Sequence, residues 1–142
     1  MFKRLLIANR GEIACRIIAT CRRLGIHSIA VYSDADAHGR HVRLADEAWH
    51  LGGSKPADSY LRADRIIEIA RAASAQAIHP GFGFLSENAD FAEAVEQAGL
   101  RFVGPTAASM RKMDSKAGAK ELMKAAGVPV VPGYTGDRKS VV

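Results

Sequence analysis

The amino-acid sequence predicts an α/β fold, a parallel sheet with helices on both faces, and three observations predict it. Short apolar runs alternate with longer segments whose apolar residues recur at helical spacing. The first of these runs, Leu5 to Ala8, is apolar throughout, as a strand covered on both sides must be. Turn-forming residues follow the runs, so the chain bends between strand and helix at one shared edge.

Taken in order, Leu5 to Ala8 reads as the first strand. Beyond Gly11, Ile13, Ile17, Cys21 and Leu24 mark the buried stripe of a helix, and Gly25 stands where a left-handed closing residue belongs. His27 to Tyr32 is rich in β-formers and ends in the turn residues Ser33 to Asp36. His41 to Ala45 fits a single helical turn, Glu47 to Leu51 a short strand, and Gly52 to Pro56 a loop. A third unit begins near Ser59, where Ile66, Ile67, Ala70 and Ala73 give a helix its apolar face before a strand over Ala75 to His79. Ser86 is the expected N-cap of the next helix, which carries Phe91, Val95 and Ala98 and closes at Gly99. Leu100 to Val103 is the last strand, Thr106 to Lys112 a short helix, and Asp114 the expected cap of another running to about Ala126.

Composition excludes several classes. With 142 residues, an apolar share of 48% and a charged share of 25%, the chain is sized and built for a packed core. Its net charge is +5, but the basic residues are scattered, and no nucleic-acid-binding signature is present. Cys15 and Cys21 lie roughly 9 Å apart along one helix axis and on different faces, too far for a disulfide. The apolar run at the start stops after four residues, too few for a signal peptide or membrane span, so no membrane partner and a cytoplasmic location are expected.

The most informative segment is Ala77 to Asn88, where an apolar run stops at Pro80 and opens into a loop holding Gly81 and Gly83. A strand–loop–helix junction of this kind is where α/β proteins place ligands, and glycine allows backbone N–H groups to approach them closely. The same edge should gather Asn9-Arg10-Gly11 and Asp34 to Asp36. A dinucleotide fold would need Gly-x-Gly-x-x-Gly after the first strand, and the turn there has one glycine. No P-loop motif occurs. His38 and His41 have no third ligand nearby, which favours surface or structural histidines over a metal site, and His79 reads as a residue that orients the loop or caps the strand. From the residues alone, Glu87 is either a partner for a helix N-terminus or an acid facing the strand-edge cleft, and Lys116 is either solvated or a phosphate-binding cation.

A set of blocks then carries a resemblance. Leu6 to Ala14, Ala45 to Ala48, Ser59-Tyr60-Leu61, Ala77 to Asn88, Phe102 to Pro105 and Ala126 to Val130 resemble, in order, the amino-terminal domain of biotin carboxylases. The resemblance implies a Rossmann-like, pre-ATP-grasp domain over 1–113 and the first helix of an ATP-grasp domain over 114–136. It implies a ligase that forms carboxyphosphate from ATP and bicarbonate with Mg2+ or Mn2+, then carboxylates biotin on a carrier domain. Lys116 falls at the family's first ATP-contacting lysine and Glu87 at an active-site acid. Gly81, Phe82 and Gly83 form the loop near the biotin and bicarbonate site, with Phe82 where many relatives have tyrosine. The biotin carboxyl carrier domain, a carboxyltransferase subunit and a second copy of the chain are the implied partners. Ala45 to Trp49 and Pro132-Gly133-Tyr134 are most similar to the biotin-bearing subunits of acyl-CoA carboxylases, with methylcrotonyl-CoA or a related branched or propionyl substrate.

The family pattern stops at Gly136. Residues 137–142 match the translation of a short-read sequencing adapter and are expected to be a non-native tail. The second phosphate-binding lysine, the adenine pocket, the metal-holding glutamates and a bicarbonate-positioning arginine would then lie downstream, leaving this chain inactive by itself. The rival expectations are a non-catalytic nucleotide-binding module, a structural or dimerisation domain, and an NAD-dependent oxidoreductase domain.

Overall fold

The computed structural model describes residues 1–114. Five strands, β1 (Arg4–Ile7), β2 (His27–Ser33), β3 (Glu47–Gly52), β4 (Ala77–His79) and β5 (Arg101–Phe102), alternate with five helices. These are α1 (Gly11–Leu24), α2 (Arg40–Leu44), α3 (Ala63–Ala72), α4 (Ala89–Gln97) and α5 (Ala107–Asp114). Every strand pair is parallel, and the order across the sheet is β3-β2-β1-β4-β5. The chain therefore winds outward from β1 in one direction, then returns beside β1 and winds the other way. The reversal lies between β1 and β4.

Two apolar layers cover the sheet, as expected for helices on both faces. On one side Leu5, Ile7 and Ala77 pack with Ile17, Ile18 and Cys21 of α1. On the other, Leu6, Ile29, Val31 and Ile78 pack with Ile66 and Ile69 of α3, Phe91 and Val95 of α4, and Met110 of α5. Alternate residues of β1 thus feed opposite layers, which is why Leu5, Leu6 and Ile7 are all apolar. Cys15 and Cys21 are both buried free thiols.

Three sequence expectations shift in detail. The strand expected from Ala75 starts at Ala77, because the Ala75 N–H closes α3 by donating to Ala70 O at 2.8 Å and the Gln76 N–H joins Arg4 O. The segment after Lys55 is not plain loop but includes a 3-10 turn over Pro56–Asp58. Helix α4 is capped by Asn88 rather than Ser86: Asn88 Oδ1 accepts from Phe91 N–H at 2.9 Å, while Ser86 N–H is taken by Gly83 O in the preceding turn. Asp114 is the last described residue of α5, and the helix expected beyond it lies outside the described residues.

At the amino-terminal ends of the strands a polar clamp joins β1, β2 and β3. Glu47 accepts from Arg4 Nη2 and His27 Nε2 at 2.6 Å and from Trp49 Nε1 at 2.7 Å. Burial pushes the Glu47 carboxyl up, but the bonds from Trp49, His27 and Arg4 outweigh it and hold it below the ordinary carboxylate range. Beside it, Asp46 Oδ2 accepts from Ser28 N–H at 2.8 Å. The Asp46-Glu47 pair is accordingly part of the scaffold, at the edge remote from the glycine loop.

Candidate functional site at the strand-order reversal

The crevice at a reversal of strand order, outside the carboxyl ends of the strands, is the usual ligand position in open α/β sheets. Here it lies between the turn after β1 and the loop after β4. Asn9 occupies it. The side chain is buried, at 3% exposure, and both its amide N–H groups and its oxygen are bonded. Its Nδ2 donates to Pro80 O and to Phe82 O, both at 2.8 Å, and its Oδ1 accepts from Arg10 N–H at 2.8 Å. A dinucleotide pyrophosphate needs that space and a glycine-rich turn, and this turn offers neither.

The loop above Asn9 is bent by residues in the left-handed region: Gly81 at φ 69°, Gly83 at φ 73° and Phe84 at φ 45°. Gly81 is glycine for a second reason. A Cβ there would lie 2.6 Å from Asn9 Nδ2 and 2.8 Å from Asn9 Cβ, so loop and strut approach closer than any side chain allows. The Gly81 N–H donates to His79 Nδ1 at 3.0 Å. That donor is therefore committed inside the protein, and what Gly81 offers a ligand is its place in the bend. Burial lowers the His79 pKa and keeps the ring neutral, with Nδ1 as acceptor. His79 thus orients the loop, the structural role expected of it. Gly83 faces open space, and Phe82 stands out at 71% exposure.

From the far side, Tyr60 holds the loop. Its ring stacks on Phe84 with centroids 5.0 Å apart and planes 15° from parallel. Its hydroxyl accepts from Ser33 N–H at 3.1 Å and donates to Asp36 Oδ2 at 2.8 Å. Asp36 also accepts from Arg10 through Nε at 2.7 Å and Nη2 at 2.9 Å, and from Ser33 Oγ at 3.0 Å. The Arg10 bond, helped by Tyr60 and Ser33 against the cost of burial, holds the Asp36 carboxyl at about 2. The same bond raises Arg10 further. Burial, with Asp36 beside it, pushes the Tyr60 hydroxyl up to about 12. The turns after β1 and β2 and the loop after β4 are thereby one hydrogen-bonded and stacked unit, the gathering that the sequence predicts.

A pH dependence follows. The folded Asp36 carboxyl lies below its ordinary value, so its stabilisation is complete above that value and is lost as pH falls through it toward about 2. The difference corresponds to about 2 kcal/mol. Asp36→Asn is expected to be less stable at pH 7 and to show a shallower loss of melting temperature between pH 5 and pH 2. Parallel curves for the two proteins would exclude Asp36 as a source of the acid sensitivity.

Of the sequence-predicted site residues, the structure brings Gly81, Phe82 and Gly83 to the reversal point. Glu87 is exposed and precedes the cap Asn88, so it is not in the first turn of α4; that position belongs to Asp90. Lys116 lies outside the described residues. His41 is buried and bonded through Nε2 to Val31 O at 3.0 Å, whereas His38 is exposed, which fits the structural reading of that pair. Sequence reasoning placed Asn9, Arg10 and Asp36 at the edge but did not single them out, and it met Tyr60 only within a family block. Among the described residues, no three His, Cys, Asp or Glu side chains stand together as a metal site. No described helix is long and apolar enough to cross a membrane. An open cleft of about 610 Å³ at the opposite edge, beside Met1, Phe2, Gln76 and Leu100, contains none of the predicted site residues.

Comparison with known proteins matches residues 1–110 to a family model described as the N-terminal domain of biotin carboxylase. Among similar proteins, the mitochondrial methylcrotonoyl-CoA carboxylase subunit alpha of Rattus norvegicus is 53% identical over 137 residues, covering 96% of this chain and 19% of its own length. Biotin carboxylase 1 of Bacillus subtilis is 55% identical over 136 residues, covering 96% of this chain and 30% of its own. The crystal structure of the biotin carboxylase domain dimer of Hydrogenobacter thermophilus 2-oxoglutarate carboxylase, in complex with MgADP, ADP and bicarbonate, superposes with a TM-score of 0.85. It is 50% identical and covers 99% of this chain and 31% of that one. The chain thus spans between about a fifth and a third of the length of these relatives.

Proposed function

The chain belongs to the biotin carboxylase N-terminal domain family, and from that premise we propose that the protein built on it carboxylates biotin with ATP and bicarbonate. The observation that carries this reading is the loop at the strand-order reversal. An exposed aromatic ring, Phe82, is held on a bent and braced backbone where such folds receive ligands. The apolar thiophane face of biotin packs well on an exposed phenyl ring, and Phe82 offers packing without a hydroxyl contact.

In this reading residues 1–113 form the amino-terminal domain and 114–136 begin the ATP-grasp domain. Glu87 is an acid of the site, and Gly81, Phe82 and Gly83 border the biotin and bicarbonate position. Lys116 offsets charge on the ATP phosphates, where catalysis is mainly positional and electrostatic. Among the described residues no group of three His, Cys, Asp or Glu side chains makes a set for Mg2+ or Mn2+. Carboxyphosphate formation requires two anions held side by side. The carboxyl group would pass to biotin on a carrier domain, and a carboxyltransferase subunit would then transfer it from biotin to the acyl-CoA. A branched or propionyl-type acyl-CoA fits the methylcrotonoyl-CoA carboxylase relative, and a homo-oligomer fits the relative described as a dimer.

Two measurements test the reading. A full-length protein carrying this segment should cleave ATP in a bicarbonate- and biotin-dependent manner; cleavage indifferent to both would sink the proposal. The 142-residue chain alone is expected to show no bicarbonate-dependent ATP cleavage, and clear turnover above a Lys116→Ala control would contradict that.

A further inference from the structure

We propose that Asn9 is a positioning residue for the biotin-facing loop, setting the height and orientation of Phe82 through the two carbonyls it holds. Three observations carry this. Asn9 spends both amide N–H groups on carbonyls of the loop, Pro80 and Phe82, which are separated from it by 71 and 73 residues of chain. Its own orientation is fixed by the Arg10 N–H on Oδ1, and Arg10 is fixed in turn by two bonds to Asp36. Finally, the absence of a side chain at Gly81 lets the loop settle directly on the amide, where any Cβ would collide with it.

Only an amide of this length serves. Aspartate has the same shape but presents acceptors to two carbonyls, so it repels what asparagine holds. Serine is too short to span the gap. The Phe82 Cα, from which the ring hangs, is bonded directly to a held carbonyl carbon, so displacing that carbonyl displaces the root of the ring. Asn9 therefore acts on a ligand through Phe82 and not by touching it.

The proposal rests on the biotin carboxylase reading for what the loop receives, but not for whether Asn9 sets the loop. The first arm of the test is amide hydrogen exchange on the 142-residue chain with Asn9→Asp and Asn9→Ser, using Glu47→Gln at the far edge as a destabilising control. Exchange at the Ser86 and Asn88 amides, which are bonded to Gly83 O and Leu85 O, should accelerate at least tenfold in both Asn9 variants relative to amides of β1 and β2, and not in the control. Uniform acceleration, or an unchanged loop, would overturn the proposal. The second arm uses the full-length protein carrying this segment, with free biotin as the probe. Asn9→Asp should raise KM for biotin about tenfold while KM for ATP stays within twofold of wild type. Equal effects on both constants, or none on the biotin constant, would overturn the positioning role. A wild-type protein without biotin-dependent ATP cleavage would instead remove the functional reading, leaving the exchange arm to decide what Asn9 does.

Discussion

Replacing Tyr60 by alanine is expected to lower the unfolding free energy by about 4 kcal/mol, the range for truncating a fully buried aromatic ring. Tyr60 is 1% exposed and is among the largest fully buried side chains. The change removes the stack on Phe84, deprives the Ser33 N–H of its acceptor and takes one donor from Asp36. Against a typical domain stability of about 5–15 kcal/mol, the variant would be close to unfolding at physiological temperature. Tyr60→Phe separates the two contributions. It keeps the stack but leaves the Ser33 N–H without its acceptor, and should cost about 1–3 kcal/mol. Urea denaturation of the three proteins checks both values; a loss below about 1 kcal/mol for the alanine variant would mean that neither ring nor hydroxyl holds the loop.

Gly81→Ala is the second large effect. The residue sits at φ 69°, and the added methyl would lie 2.6–2.9 Å from three atoms of Asn9. Left-handed strain and forced displacement together should cost roughly 3 kcal/mol. Gly83→Ala is the internal comparison, because Gly83 has a similar φ of 73° with nothing near its missing Cβ. It should show only the backbone strain, about 1–2 kcal/mol. The two differ because one glycine is needed for the bend alone and the other for the bend and the contact. In the proposed enzyme, displacement of the Phe82 loop by Gly81→Ala is expected to lower biotin-dependent turnover by about tenfold or more, since misplacing a binding group by an ångström has effects of that order or larger. Equal denaturation midpoints for the two alanine variants would show that Asn9 yields without cost.

The ladder of strands and helices was readable because the central strand is apolar on both faces and the longer helices repeat their apolar residues on one side. Leu5 to Ile7 and Ile66 to Ala70 announce themselves locally. So does Gly25, which adopts the left-handed closure of α1 at φ 72°. The joints were harder to read. Ser86 and Asn88 are both good capping residues, and only the folded chain brings the Phe91 N–H to Asn88 Oδ1. Asn9 could be placed on the edge, but its two partners lie in a loop more than seventy residues away, and no local pattern encodes such a pairing. Tyr60 and Phe84 are likewise joined only by the fold. Asp46-Glu47 belongs to a family block, yet its bonds bind strand starts and have no part in the candidate site.

The return of the chain beside β1 has a kinetic consequence. Leu5 to Ile7 register with Ala77 to His79, so one of the two pairings of the central strand joins segments more than seventy residues apart. Entropy delays such distant parallel pairings relative to local helix formation, and proteins rich in them fold slowly. The half built from β1, β2 and β3 can collapse first, with the Asn9 amide still hydrated. Refolding should therefore recover helical ellipticity well before the Phe82 loop becomes protected, making the recognition surface one of the last features to mature.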